Sequence, residues 1–276
     1  MEFLTDPFQL SFMQRALAAA VLTVIGTSLV GTWVVLRGMS FMGDALVHGV
    51  IPGIALGVLL GFNLLLGASI AAVVMVVGIN LVHRQTAFPE DTGIGLLFVG
   101  MLALGVIIVS RVPSFTGSLT EILFGDALGV EGADVVVLAV MASVATIASL
   151  VLYRPFLVLS FNESKAQLLG LHPTGAHFAM LALITLTIVG SFRTVGTLLV
   201  FGLLIGPPAT AALLVRRVPS MMLTSLGVGI VSVYLGLLLS YHLGTSASAT
   251  IAAVPVALFF MVLAFRSLRP GVGSAP

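Results

Sequence analysis

The chain has 276 residues, of which 59% are hydrophobic and 8% charged, and its formal net charge is +1. Mean hydropathy is +1.23, and apolar blocks recur from about residue 11 to residue 265 with short polar breaks, so the reading is an all-α, polytopic membrane protein, one transmembrane domain over 1–276 with no soluble domain. There is no cysteine, which excludes disulfides, thiolate metal sites and cysteine nucleophiles.

The N-terminal stretch MEFLTDPFQL carries Glu2 and Asp6 and lacks the basic start of a cleaved signal peptide. The first apolar segment is therefore expected to stay as a span. Windows of about 17 to 25 apolar residues place helices near 14–36, 43–61, 63–82, 92–110, 134–152, 175–191, 194–215, 221–243 and 248–265. That is eight or nine spans, depending on whether tight turns near Asn63 and Arg193 separate their neighbours. Cytoplasmic loops collect Lys and Arg. With the N-terminus outside, the inner side receives Arg37, Arg84, Arg154, Lys165, Arg216, Arg217, Arg266 and Arg269, and the outer side Arg15, Arg111 and Arg193. The C-terminus is then cytoplasmic.

The second span holds the residues that do not belong in lipid: RGMSFMGDALVHGVIPGIALG, residues 37–57. A charged side chain near the bilayer centre costs roughly 2.5 to 3.5 kcal/mol on insertion scales, so one that is kept there has a task. Counted from Arg37, a rise of about 1.5 Å per residue puts Asp44 roughly 10 Å and His48 roughly 16 Å into the membrane. Their i, i+4 spacing stacks them on one helix face. Pro52 and Gly53 follow, where a helix break is expected because proline cannot donate to the carbonyl one turn back. Irregular backbone and polar groups at mid-depth are tolerated where they line a cavity or face protein.

Carboxylate plus imidazole is a ligand set for zinc, manganese or ferrous iron. One of each does not fill a coordination sphere, whereas two copies of the helix about a symmetry axis supply two Asp and two His. The alternative is structural: Asp44 caps its helix and His48 is hydrogen-bonded within the bundle. Met39 and Met42 are read as packing residues.

The outer connection, about 111–133, opens on turn residues Pro113, Ser114 and Gly117. Leu119, Ile122 and Leu123 then share a helical face. Its acidic residues Glu121, Asp126, Glu131 and Asp134 are read as solvated or capping groups, with attraction of cations or a partner as the alternative. The second GDAL, Gly125 to Leu128, lacks a following histidine, and its flanks do not align with the first. The inner connection, about 153–174, offers Asn162 as an N-cap, an apolar edge at Leu168 and Leu169, and Gly170 as a stop. That short helix is either a docking surface or an interfacial helix. His83, His172 and His177 are read as interfacial or surface residues, and His242 as the outer end of the eighth span. No P-loop is possible, because the only lysine is Lys165; ATP hydrolysis, if any, comes from another polypeptide.

Five blocks in order resemble the membrane permeases of ATP-binding-cassette importers for zinc, manganese and iron. They are VVLRGMSFMGDALVHGVIPGIALG, EDTGIGLLF, EILFGDALGV, VGTLLVFGLLIGPPATAALL and GLLLSYHL. The resemblance implies a homodimeric permease in a prokaryotic cytoplasmic membrane, two cytoplasmic ATPase subunits and an extracytoplasmic metal-binding protein. It implies no permanently bound cofactor, only a transported divalent metal, with Asp44 and His48 lining the pathway and its gate. It also makes AQLLGL similar to the family's coupling helix, which points to Glu163, Lys165, Ala166, Leu169 and Gly170 as ATPase contacts. Two departures stand out: Asn162, Glu163 and Ser164 replace an Asp-Pro-Glu-like run, and TSASAT follows SYHLG where the family has an acidic residue and Pro-Ser-Gly.

Three rival readings fit parts of the same pattern. A permease for a ferric chelate or corrinoid needs a wide pathway without a compact ligand pair. A proton-coupled carrier uses the same pair as a relay and needs no ATPase. An intramembrane hydrolase lacks a His-Glu-x-x-His or paired-aspartate motif.

Overall fold

A computed structural model describes residues 6–86, 90–110, 129–161 and 172–268. Every expected span is helical, and among the described residues there is no strand. After a 3₁₀ turn at Asp6–Gln9, the helices are α1 (Ser11–Leu36), α2 (Phe41–Gly49), α3 (Ile51–Leu60), α4 (Leu64–Gln85), α5 (Glu90–Val109) and α6 (Gly132–Val151). Then come α7 (Tyr153–Phe161), α8 (Pro173–Val195), α9 (Thr197–Leu214), α10 (Val218–Leu243) and α11 (Ala247–Ser267). Among the described residues, seven candidate spans are long and apolar enough to cross a membrane, α2 and α3 together forming one of them; α4 and α9 contribute shorter apolar stretches.

α1 is the centre of the bundle and packs against α6, α9, α10 and α8. Its buried hydroxyls are served by its own backbone: Thr23 donates to the Ala19 carbonyl, Thr27 to Thr23 and Thr32 to Ser28, at 2.7–2.9 Å. A helix can thus carry polar side chains through an apolar medium without needing a partner for each. Close contact with α9 depends on Gly31, where a Cβ would fall 1.9 Å from the Leu204 carbonyl oxygen. Pro208, inside α9, is four residues beyond Leu204 and has no N–H to give that carbonyl, so the bare Cα of Gly31 faces an oxygen the helix itself does not use.

A second group, α2 to α5, packs together, and α8 touches both groups. α5, α6 and α11 lie outermost, only 17–22% of each span being buried. They leave rows of Leu, Val, Ile and Phe exposed, as lipid-facing helices do.

Three details differ from the sequence reading. The turn before α9 comes at Gly196, not Arg193, because only glycine adopts its φ of 80° without strain. Residues from Tyr153, expected within a connection, form α7, pinned by Trp33: this fully buried indole meets Tyr153 and Phe156 edge-on at 5.5 and 5.7 Å. His177, expected at the surface, is only 2% exposed. It lies one turn inside α8, on the face that carries Ala176, Met180, Leu181 and Ile184 into the core. The Asn63 turn is as expected, with Gly61 left-handed at φ 71° and the Asn63 side chain accepting from the Leu66 N–H.

Candidate metal site

The link from α1 to α2 is a tight reversal. Gly38 takes φ 69°, and Met39 donates back to the Val34 carbonyl at 3.0 Å. Met39 and Met42 are then fully buried packing residues. This fixes which way α2 faces. Asp44 and His48 come out side by side, with His48 Nε2 3.7 Å from Asp44 Oδ1. That is beyond hydrogen-bond length, so the two are neighbours that can converge on a third atom.

Neither group has the structural role offered as the alternative. The N-terminus of α2 has no side-chain cap hydrogen bond, and Asp44 sits past the cap, in the first turn. His48 Nδ1 is buried without a hydrogen-bond partner. The side chains of Asp44 and His48 are 32% and 27% exposed, so on a single chain this polar pair is left partly open within the first half of the apolar span Phe41–Leu60. Lipid is a costly neighbour for it; a lined pathway or a facing copy of the same helix is not. Among the described residues no group of three or more His, Asp or Glu side chains could hold a metal ion. Among the described residues, the pair on one chain is a single carboxylate and a single imidazole.

The expected break follows at once. α2 ends at Gly49, Val50 bridges with φ −84° and ψ −13°, and Pro52 lies in the first turn of α3, where a missing N–H costs nothing. Pro52 and Gly53 are buried. A Cβ on Gly53 would meet the Gly67 carbonyl oxygen at 2.0 Å, and one on Gly67 would meet the Gly53 oxygen at 2.2 Å, so the α3 and α4 backbones touch. From the other side, a Cβ on Gly105 of α5 would meet Ile51 at 3.1 Å and Pro52 at 3.4 Å. The start of α3 is thus clamped between α4 and α5, just after the helix that carries Asp44 and His48.

The ring packed on His48 is not legible in the sequence. Phe98 of α5 stacks on the imidazole at 5.8 Å and 28°, and is itself met edge-on by Phe41 at 5.4 Å. Its only sequence signal is its place at the end of EDTGIGLLF. Of the other predicted groups, His242 is exposed in the last turn of α10, its ring edge-on to Tyr241. Glu131 and Asp134 form a capping box at the start of α6, the capping role expected for them. Glu163, Lys165, Ala166, Leu169 and Gly170, the outer-loop residues from 111 to 128 and the second GDAL lie outside the described residues.

A model of the ABC 3 transport family matches residues 9–266. The chain is 36% identical over 265 residues to the manganese transport system membrane protein MntC of Listeria monocytogenes, covering 96% of this chain and 94% of that one. It is 34% identical to the probable iron transport system membrane protein of Haemophilus influenzae, covering 97% and 98%. Among solved structures it is similar to PsaBC from Streptococcus pneumoniae in complex with a Fab. There the TM-score is 0.81 at 31% identity, covering 95% of this chain and 94% of that one.

Proposed function

The chain belongs to the ABC 3 transport family, and from that premise we propose that it is the transmembrane subunit of an ATP-driven importer moving divalent transition-metal ions into the cytoplasm. It is a permease and not an enzyme; ATP is hydrolysed by a separate subunit. Relatives named for manganese and for iron support one of those two ions as cargo, and zinc accepts the same donors. The proposed partners are a second copy of this chain, cytoplasmic ATPase subunits and an extracytoplasmic metal-binding protein, with the N-terminus outside.

The observation that carries this reading is the Asp44–His48 pair. It is partly exposed on one chain, lies within an apolar span, and among the described residues no third His, Asp or Glu joins it. Two copies facing across a symmetry axis cover the exposed polar groups and give an ion two carboxylates and two imidazoles. The ion is cargo, so the site must release it. A gate that exists only while two helices face each other does this: when the copies part, each is left with one Asp and one His, and the ion is freed. The clamp on Pro52 and Gly53 ties α2 through α3 to α4 and α5, so that these helices shift the ligand pair as a unit. The inner stretch around Glu163, Lys165, Ala166, Leu169 and Gly170 is the proposed contact through which ATPase closure pushes.

The test is uptake of Mn²⁺ into proteoliposomes holding the permease with its ATPase and binding protein. Uptake that needs hydrolysable ATP and disappears in Asp44→Ala and His48→Ala supports the reading. Uptake by the permease alone, driven by a proton gradient, shows a secondary carrier instead.

A further inference from the structure

We propose that Phe98 is a positioning residue for the metal ligand His48, holding the imidazole so that Nε2 is presented beside the Asp44 carboxylate. This rests on the reading of Asp44 and His48 as ligands and goes one step beyond it. The χ2 torsion of histidine is broad and roughly two-fold, so an imidazole left to itself exchanges the places of its two nitrogens. Metal-binding histidines are usually fixed by a hydrogen bond from the other nitrogen to a carboxylate or carbonyl. His48 has no such bond: its Nδ1 is buried and without a partner. What holds the ring is packing. Phe98 lies against the imidazole face at 5.8 Å and 28°.

Phe98 is in turn fixed from below. Phe41 meets it edge-on at 5.4 Å and 85°, and Phe98 also packs against the main hydrophobic core. Phe41, Asp44 and His48 are spaced i, i+3, i+7 and share one face of α2. The Phe98 ring therefore reaches across from α5 to the two aromatic groups that flank Asp44 on that face. Electrostatics favour the arrangement once the ion is bound, because a cation on Nε2 makes the imidazole more positive and the face of a phenyl ring is negative. An orienting partner that accepts no proton leaves the ligand less basic than a carboxylate partner does. That suits an ion meant to leave again.

Mn²⁺ affinity of the purified full-length permease, read from the paramagnetic resonance signal of the free ion, tests this in four variants: Phe98→Leu, Phe98→Tyr, His48→Ala and the double Phe98→Leu/His48→Ala. Phe98→Leu keeps apolar volume and loses the ring, and its Kd is expected to rise about two- to tenfold. Phe98→Tyr keeps the ring and is expected to bind as wild type. The double variant should bind no more weakly than His48→Ala alone. Thermal unfolding midpoints of all four are measured alongside. A Phe98→Leu Kd equal to wild type overturns the proposal. So does a Phe98→Tyr variant as weak as Phe98→Leu, or a Kd change that persists without His48, since each shows general packing and not positioning. If His48→Ala leaves the Kd unchanged, the ligand assignment itself has failed, and the role of Phe98 with it.

Discussion

Gly53→Ala is expected to disable the permease although it adds a single methyl group. The added Cβ would lie 2.0 Å from the Gly67 carbonyl oxygen, 2.6 Å from its carbon and 2.8 Å from the Ala71 Cβ. Two of these three are backbone atoms and cannot turn aside. To reach an ordinary contact of 3.4 Å, α3 and α4 must part by about 1.4 Å at their closest point. Overpacking of this kind costs about 1–3 kcal/mol, and the upper end applies because no rotamer relieves it. The displacement falls one residue from Pro52 and five from His48, so Asp44 and His48 move with it. Reversible unfolding in mixed micelles should show a loss of about 3 kcal/mol, and ATP-driven Mn²⁺ uptake should drop steeply. Gly100→Ala is the control: nothing lies within 4 Å of its added Cβ, and alanine is favoured over glycine in a helix by about 1 kcal/mol. If Gly53→Ala unfolds and transports like wild type, the clamp on the helix break is not as described.

Three further outcomes follow from the same geometry. Asp44→Ala or His48→Ala should each lower ATP-driven Mn²⁺ uptake by at least the roughly tenfold that losing an outer-shell partner already costs a metal site, with the folded permease recovered in normal yield. Trp33→Ala removes a fully buried indole and its edge contacts with Tyr153 and Phe156. It should destabilise by about 3–5 kcal/mol, seen as a low unfolding midpoint. Glu131→Ala breaks the capping box at α6 on an exposed helix end, and should cost only about 1 kcal/mol while uptake stays near wild type.

Which parts of this were legible in the sequence has a physical pattern. Hydropathy locates helices well in a membrane protein, since the bilayer imposes both composition and length on each span. α1, α10 and α11 accordingly begin and end within a few residues of the expected bounds. The Asp44–His48 pair was visible for the opposite reason: it violates the apolar rule. Contacts between distant segments leave no such trace. Nothing local marks Phe98 as the ring on His48, Gly67 as the partner of Gly53, or the Leu204 carbonyl as the reason for Gly31. His177 misled because a histidine next to a polar loop reads as exposed, whereas its position on α8 turns it inward. The turn expected near Arg193 falls three residues later at Gly196, because the break needs backbone at positive φ, which glycine alone adopts without strain.

Pulsed electron paramagnetic resonance of Mn²⁺ bound to the purified pair of full-length chains reads the proposed gate at its ion, because it detects ligand nitrogen there. Modulation from two imidazole nitrogens per ion is expected, abolished in His48→Ala and kept in a variant such as Glu131→Ala. Nitrogen modulation that survives His48→Ala, or its absence from the wild-type complex, would contradict a gate built from the paired Asp44 and His48 of two copies.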